Sequence, residues 1–237
     1  MKLIFIRHGD PDYVKDSLTE KGWREAEILS ERVKDWNVKE FYCSPLGRAR
    51  DTASRTLEKV GREAVTYEWL QEFYYRIRDE ETGEETIAWD FYPNYFCHND
   101  DLHNKDEWFR TPVMSSGNIE EHYRDVVAGL DSLLASHGYV RREDGVYAVK
   151  EHNDDNLVFF CHFGITALLT GYLTGIAAPA LWQGFIMAPT SITVLGSEER
   201  IPGEAAFRVQ VFGDCRHLIE NGEPVSASGY FTDIFEG

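Results

Sequence analysis

The chain has 237 residues, of which 43% are hydrophobic and 14% aromatic, and its formal net charge at pH 7 is −17. This composition excludes global disorder and fits one large domain with a sizeable core. The negative charge argues against nucleic acid and anionic membranes as partners, because both require a surplus of Lys and Arg. A small anionic substrate is still compatible, provided that a local cationic pocket overcomes the surrounding field.

Signals for targeting and for disulfide formation are weak. The apolar run after Lys2 is only four residues long, which is shorter than the core of a signal peptide. No segment has the length and apolarity of a transmembrane helix. The four cysteines are scattered along the chain without a CxxC pair. We therefore expect a reduced, cytoplasmic protein.

An apolar run near the start of the chain predicts a buried strand. Residues 3–6 read Leu-Ile-Phe-Ile and lead directly into Arg7, His8 and Gly9. In open α/β sheets, ligands bind outside the carboxyl ends of the strands. We therefore expect Arg7 and His8 to lie at a functional site.

The next predicted elements alternate between helix and strand. Thr19 is expected to cap a helix over residues 20–36, and residues 41–43 form a short strand. Ser44 is expected to cap a second helix, which carries Arg48 in its first turn. Arg48 would then lie close to the carboxyl end of the strand before it.

Residues 73–118 follow a predicted strand near residues 64–67 and show no clean periodicity. Residues 73–117 contain ten aromatic residues, whereas a disordered linker would be poor in them. Long irregular segments inside compact domains are often lids or binding loops. We interpret residues 73–118 as a folded insertion that caps the site within a single domain spanning 1–237. A substrate-selective lid and a small satellite core are both compatible with this pattern.

A strongly amphipathic helix follows this segment. Asn118 is expected to cap it, with Glu121 completing a capping box. A hairpin is expected next, because residues 139–140 and 146–149 flank a turn that contains glycine.

The pattern of the first strand is then repeated. Residues 157–161 predict a buried strand that ends at His162. Residues 165–174 read as a helix, whose N-terminus offers free backbone N–H groups to an anion. Two further strands are predicted at residues 191–195 and 206–212, joined by a Pro-Gly turn.

Two histidines and two arginines are thus predicted to meet at one edge of the sheet. His8 and His162 end buried strands, and Arg7 and Arg48 lie beside them. This set suits phosphoryl transfer, because arginines stabilise the charge on the transferred group and a neutral imidazole can attack phosphorus. Glu72 follows another strand, and a carboxyl beside a phosphate has a raised pKa that suits a general acid.

Several motifs resemble those of the histidine phosphatase superfamily, also called the phosphoglycerate mutase-like or branch 1 acid phosphatase group. In chain order they are Arg7-His8-Gly9, Leu18-Thr19-Glu20-Lys21-Gly22 with Glu25-Ala26, Ser44-Pro45-Leu46-Gly47-Arg48-Ala49-Arg50-Asp51-Thr52, Leu70-Gln71-Glu72, Cys161-His162-Phe163-Gly164 and Gly213-Asp214-Cys215-Arg216-His217-Leu218. The resemblance covers nearly the whole chain outside the insertion. Arg-His-Gly alone is a weak signal, but its combination with the Arg48 and His162 motifs in this order is specific.

The resemblance implies an α/β fold, a three-layer αβα sandwich with a mostly parallel central sheet. It implies that His8 is the nucleophile that accepts the phosphoryl group, and that Arg7, Arg48 and His162 hold the phosphate. Glu72 would donate a proton and later activate water. The resemblance implies no metal and no organic cofactor, and the partner would be a small phosphate ester.

Two departures separate this chain from many mutases of the family. Those mutases carry a serine or threonine after the acidic residue that follows Arg-His-Gly, and an asparagine six residues past the nucleophile. This chain has Pro11 and Val14 at these places. We therefore favour hydrolysis of a phosphorylated metabolite through a phosphohistidine. A phosphoglycerate mutase and a catalytically weak phospho-ligand-binding protein are the alternatives.

Three further questions stay open in the sequence. Glu68, Asp79 and Glu80 lie close enough along the chain to replace Glu72 as the acid. The aromatic-rich surface is compatible with a homodimer. A polar segment offers metal ligands at a spacing that fits no standard zinc pattern, so we expect a polar loop there. It comprises Cys97, His98, Asp100, Asp101 and His103.

Overall fold

The fold is built on an eight-stranded sheet. The computed structural model describes residues 1–80, 82–91 and 93–229. Its strands are β1 (Lys2–Arg7), β2 (Pro11–Asp12), β3 (Ser17–Leu18), β4 (Glu40–Cys43), β5 (Val65–Thr66), β6 (Arg76–Arg78), β7 (Glu85–Ile87), β8 (Tyr139–Arg141), β9 (Tyr147–Val149), β10 (Asn156–Cys161), β11 (Ile192–Ile201) and β12 (Glu204–Asp214). The main sheet has the order β5-β4-β10-β1-β11-β12-β9-β8, and β2–β3 and β6–β7 form separate two-stranded sheets.

The two halves of the main sheet differ in strand direction. The pairs β5–β4, β4–β10 and β10–β1 are parallel. The pairs β1–β11, β11–β12, β12–β9 and β9–β8 are antiparallel. The expectation of a mostly parallel sheet is therefore correct for one half and wrong for the other, and the sheet as a whole is mixed. Short turns join β8 to β9 and β11 to β12, and a short turn forces the chain to run back antiparallel.

Helices cover both faces of the sheet, as expected for an α/β sandwich. They are α1 (Glu20–Val33), α2 (Gly47–Val60), α3 (Pro93–Cys97), α4 (Pro112–Ser115), α5 (Ile119–Ser136), α6 (Phe163–Thr174), α7 (Ala178–Gly184) and α8 (Arg216–Glu220). Within the described ranges, no helix is long and apolar enough to cross a membrane.

The side chains of β1 show how the layers are held together. Successive side chains of a strand point to opposite faces of the sheet. Ile4 and Ile6 join an apolar cluster with residues of α1 and α2, whereas Leu3 and Phe5 join a second cluster with residues of α5 and α6. Both faces of this strand are therefore buried, which explains its unbroken apolar sequence.

The predicted helix starts are correct at one position and wrong at two. Thr19 caps α1, and its hydroxyl accepts a hydrogen bond from the N–H of Gly22 at 3.1 Å. Helix α2 starts only at Gly47 and has Leu46 at its N-cap, so Ser44 does not cap it. Asn118 precedes α5 with a left-handed backbone (φ 53°) and makes no side-chain capping bond. The capping box is therefore wrong, because a true N-cap residue has an extended backbone that turns its side chain towards the helix.

Residues 73–118 contain the small sheet β6–β7 and the short helices α3 and α4. Most of the aromatic side chains described in this segment, including Phe73, Phe91 and Trp108, belong to the same apolar cluster as one face of the main sheet rather than to a separate satellite core. Trp108 packs edge-on against Trp182 of α7, with ring centroids 5.2 Å apart. The aromatic residues thus anchor the segment to the second half of the chain.

Candidate active site

Three neighbouring parallel strands end at one edge of the sheet, and polar residues follow each of them. Arg7 at the end of β1 lies opposite Cys161 at the end of β10, so His8 and His162 come next at the same level. The backbone N–H of His8 donates to the carbonyl of Cys161 at 2.9 Å. Ser44 follows β4, the next strand across. The sheet therefore brings together residues that are far apart in sequence.

His8 is buried and its ring orientation is fixed. Its Nδ1 lies 2.8 Å from the carbonyl oxygen of Gly9, and since a carbonyl only accepts, Nδ1–H is the donor. The neutral ring therefore carries its lone pair on Nε2. Burial lowers the pKa of His8 well below its usual value, and the neighbouring guanidinium of Arg7 lowers it further. His8 is thus a neutral imidazole with a free basic nitrogen.

His162 lies against His8 and has no solvent exposure. The two ring centroids are 5.1 Å apart. The Nε2 of His162 shares a hydrogen bond of 2.7 Å with the hydroxyl of Ser44. Burial lowers the pKa of His162, and the proximity of His8 adds to this effect. The structure brings the two predicted histidines together, and it gives Ser44 a role that sequence reasoning missed.

The two predicted arginines also lie at this edge of the sheet. Arg7 donates to the backbone carbonyl of Met187, which holds the guanidinium beside His8. Arg48 stands in the first turn of α2 and forms an ion pair with Asp16, with 2.6 Å between Nη1 and Oδ1. The other carboxylate oxygen of Asp16 accepts the backbone N–H of Gly47 at 2.6 Å. Asp16 lies in a polar loop without periodicity, so the sequence held no signal for this contact.

Glu72 occupies the helix N-terminus that was expected to receive an anion. Its Oε1 accepts the N–H groups of Phe73 at 2.8 Å and Ile165 at 3.0 Å. Its Oε2 accepts the N–H of Gly164 at 3.2 Å. The first turn of α6 therefore binds a side chain of the protein itself.

Two effects compete at the Glu72 carboxyl. Burial raises its pKa, whereas the hydrogen bonds from the backbone N–H groups favour the charged form and oppose this shift. The net direction is upward, which favours the protonated acid. Because Oε2 accepts fewer bonds than Oε1, we assign the proton to Oε2.

The other carboxyl groups considered as the acid lie elsewhere. Glu68 and Glu80 are exposed. Asp79 is buried, but its carboxylate accepts both the backbone N–H and the hydroxyl of Thr82 in a turn. Glu72 lines a cavity that opens at this edge of the sheet, whereas Glu68, Asp79 and Glu80 do not. The geometry therefore favours Glu72 for the predicted role.

A cavity of about 380 Å³ opens onto these groups. One side, the core wall, consists of Arg7, His8, Arg48 and Glu72. A second part of the lining, the cap wall, comes from the segment that the sequence predicts as an insertion, and consists of Tyr74, Ile87 and Trp89. His162 lies beside His8, with ring centroids 5.1 Å apart, and is not among the lining residues. The site therefore combines a charged wall with an apolar one.

The polar segment in residues 97–103 forms local hydrogen bonds. The Nδ1 of His98 lies 2.8 Å from the carbonyl of Asn94, and the Nε2 of His103 lies 3.2 Å from that of Phe96. Across residues 1–80, 82–91 and 93–229, no group of three or more His, Cys, Asp or Glu side chains could hold a metal ion.

Comparison with known sequences identifies related proteins. The model of the histidine phosphatase superfamily (branch 1) matches residues 3–206. A 2,3-bisphosphoglycerate-dependent phosphoglycerate mutase from Thermoplasma acidophilum is 39% identical over an alignment of 79 positions that covers 29% of this chain. The matched region spans only 40% of that mutase.

Comparison with solved structures shows the same fold. A phosphoserine phosphatase from Entamoeba histolytica, in complex with 3-phosphoglyceric acid, superposes with a TM-score of 0.61 at 18% identity, covering 92% of this chain and 98% of that one. A mycobacterial glucosyl-3-phosphoglycerate phosphatase superposes with a TM-score of 0.59 at 21% identity, covering 90% and 98%. At these identities the likeness concerns the fold alone, so the substrates named for those proteins are not transferred to this chain.

Proposed function

This chain belongs to the histidine phosphatase superfamily (branch 1), and we propose that it hydrolyses a small phosphomonoester through a phosphohistidine at His8. The observation that carries the proposal is the state of the His8 ring. Its Nδ1–H is bound by the carbonyl of Gly9, and a low pKa leaves Nε2 unprotonated at neutral pH. Arg7 and Arg48 line the same cavity and can neutralise the negative charge of a phosphoryl group.

In the first step, Nε2 of His8 attacks phosphorus and the bond between phosphorus and the ester oxygen breaks. Glu72 gives its proton to that oxygen, so that a neutral alcohol leaves. The two arginines stabilise the charge on the equatorial oxygens during the transfer. The products of this step are the alcohol, a phosphohistidine and the Glu72 carboxylate.

In the second step, water attacks the phosphohistidine and the N–P bond breaks. The Glu72 carboxylate takes the proton from this water, which restores the acid for the next cycle. Inorganic phosphate leaves, and His8 returns to its neutral form. We assign His162 to holding the phosphoryl group through Nδ1, which has no partner among the described residues, with Ser44 fixing the orientation of its ring.

The test is the release of inorganic phosphate from a panel of sugar phosphates, phosphoglycerates, nucleotides and aryl phosphates. We expect His8→Asn to abolish release and an alkaline quench during turnover to trap phosphate on His8 of the wild type. The exposed His98 provides the matched control, because His98→Asn should leave both results unchanged. Activity that survives in His8→Asn, without a trapped phosphohistidine, would end the proposal.

The match to the Thermoplasma acidophilum enzyme favours a mutase as the second candidate. The same panel separates the two functions. A mutase moves phosphate between hydroxyl groups of a phosphoglycerate and releases little of it, whereas the proposed hydrolase releases one phosphate for each ester consumed. A ligand-binding protein without catalytic function would be stabilised by phosphate against thermal unfolding but would turn over no ester.

A further inference from the structure

The charges that line the cavity match a single phosphoryl group. Arg7 and Arg48 are its cationic side chains within the described part of the chain. Asp16 also lines the cavity, and its carboxylate already lies 2.6 Å from Arg48. A second acidic group on the substrate would therefore find no cation of its own in this lining, and the negative charge of Asp16 would repel it.

The remainder of the lining is apolar. Six side chains supply it, three from the cap wall and three from other parts of the chain: Tyr13, Leu46, Tyr74, Ile87, Trp89 and Phe163. Trp89 meets Phe163 edge-to-face, with ring centroids 5.6 Å apart. Ligand sites with such linings bind the apolar body of a ligand and use a few polar groups to orient it.

Trp89 also places a hydrogen-bond donor close to the Glu72 carboxyl. Its indole Nε1 is buried and has no partner among the described residues. A Cβ atom on Gly164 would lie 2.7 Å from this nitrogen and 2.7 Å from Oε1 of Glu72, so the two atoms are at most twice that distance apart. A buried donor gains stability when a ligand supplies the missing acceptor. Beside Glu72, that acceptor is an oxygen of the phosphate ester.

We propose that the substrate is the phosphate monoester of an uncharged, apolar alcohol, with an aryl ester as the best fit. This inference rests on the proposed hydrolase function. The phosphoryl group binds at the core wall, the apolar body of the alcohol packs against the cap wall, and the indole N–H of Trp89 binds an ester oxygen. Esters that carry a carboxylate, such as phosphoserine and phosphoglycerate, are disfavoured, because the lining offers that group no cation and Asp16 repels it.

The test compares kcat/KM for phenyl phosphate and 4-carboxyphenyl phosphate, which differ by one carboxylate. We expect phenyl phosphate to be preferred by at least about tenfold. Asp16→Asn should shrink this ratio towards one, because the amide removes the charge and keeps an oxygen for Arg48. Asn also tolerates the left-handed backbone of this position, where φ is 48°. Asp154→Asn, at a side chain that is 93% exposed, is the matched control and should leave the ratio unchanged.

Trp89→Phe tests the indole N–H, because it keeps an aromatic ring and removes the donor. We expect kcat/KM for phenyl phosphate to fall about five- to tenfold, as for the loss of one hydrogen bond. Trp36→Phe, at a tryptophan outside the cavity lining, should have no such effect. An unchanged value for Trp89→Phe, or equal rates on the two phenyl esters, would overturn the substrate inference.

Binding separates this inference from the proposed function. Phenylphosphonate and 4-carboxyphenylphosphonate cannot be hydrolysed, so calorimetry measures their affinities whether or not the protein is an enzyme. If phenylphosphonate binds more tightly but no ester is turned over, the proposed hydrolase function is rejected. The inferred selectivity of the cavity for apolar esters then still stands. If the esters of the panel are hydrolysed but the two phosphonates bind equally tightly, the inferred selectivity is rejected. The proposed hydrolase function then still stands.

Discussion

The core wall and the cap wall of the cavity differ in composition and in origin. The core wall is charged and comes from residues that directly follow strands, stand in the first turn of a helix, or bind the N-terminus of one. The cap wall is apolar and comes from a segment of short, irregular elements. This difference predicts that changes in the core wall alter the rate on every substrate, whereas changes in the cap wall alter the ranking of substrates.

Among variants that test this difference between the walls, Glu72→Gln is expected to have the largest effect on activity. Without the proton from Glu72, kcat on alkyl phosphates should fall by about 10²- to 10⁴-fold. Esters with good leaving groups should lose less, because their oxygen needs less protonation as it departs. The measurement is kcat for an alkyl and a nitrophenyl phosphate in both proteins. Equal losses on the two esters would contradict the role of Glu72 as acid.

The pH profile provides an independent check on the same residue. His8 must be neutral to attack, so activity should rise with pH through its lowered pKa. Glu72 must be protonated, so activity should fall as pH rises through its raised pKa. In Glu72→Gln the alkaline decline should disappear while the acid limb stays in place. An alkaline decline that persists in the variant would assign the acid to another group.

Arg48→Lys is expected to have the next largest effect. Lysine keeps the positive charge but loses the planar fork that binds two phosphate oxygens. A charge-assisted hydrogen bond contributes about 1.5–3 kcal/mol, so kcat/KM should fall about 10- to 150-fold. This reduction in kcat/KM should be the same for every substrate of the panel. A changed ranking of substrates would contradict the view that the core wall sets the rate and the cap wall sets the ranking. Arg55→Lys, in the same helix but outside the cavity lining, is the control.

Gly164→Ala disturbs both walls at once. A Cβ at this position would lie 2.4 Å from Cδ1 of Trp89 and 2.7 Å from Oε1 of Glu72. Overpacking of this kind costs about 1–3 kcal/mol of unfolding free energy, which urea denaturation measures. Gly184→Ala is the matched control, because a Cβ there meets nothing within 4 Å. Equal unfolding free energies of the two variants would show that the side chains of Trp89 and Glu72 can shift to accommodate the added methyl group at little cost.

The smallest effect is expected for Ser44→Ala. The variant removes the hydrogen bond to the buried His162, which should cost about 1 kcal/mol of unfolding free energy. Activity should fall by a similar factor on all substrates, because the change lies behind the core wall. The control is Ser54→Ala, because the hydroxyl of Ser54 only donates to a carbonyl within its own helix. This variant should change neither stability nor activity appreciably. A substrate-dependent loss in Ser44→Ala would contradict the separation of the walls.

The sequence predicted the positions of Arg7, His8, Arg48 and His162 because each of them depends on local patterns, whereas it left Glu72 among four candidate acids. The buried strands before His8 and His162 are unbroken apolar runs, and Arg48 follows a strand at the start of a helix. These patterns indicate where strands and helices end or begin. In a parallel sheet the carboxyl ends of neighbouring strands lie at the same edge, so the residues that follow them come together. The α/β fold was predicted for the same reason.

The contacts that complete the site depend on residues far apart in the chain. Ser44 has the pattern of a helix cap, but its hydroxyl binds a histidine 118 positions away. Glu72 meets the N-terminus of α6 across 92 positions. Trp89 and Asp16 stand in irregular segments, where no periodicity indicates which way a side chain points. The strands of the antiparallel half were predicted as a hairpin and as two strands joined by a turn. Their pairing with the parallel half was missed, because no local pattern indicates that β11 lies beside β1.

The ion pair between Asp16 and Arg48 has a consequence for the end of the reaction cycle. A phosphate oxygen that binds Arg48 competes with the Asp16 carboxylate for the charge of the guanidinium, so the ligand gains less than it would from an unpaired arginine. Gly47 also holds the carboxylate through its backbone N–H, which keeps the competitor in place when the site empties. Inorganic phosphate is therefore bound less tightly than two unopposed arginines would bind it. In the proposed hydrolase, Asp16 would thus weaken product inhibition and hasten the release of phosphate.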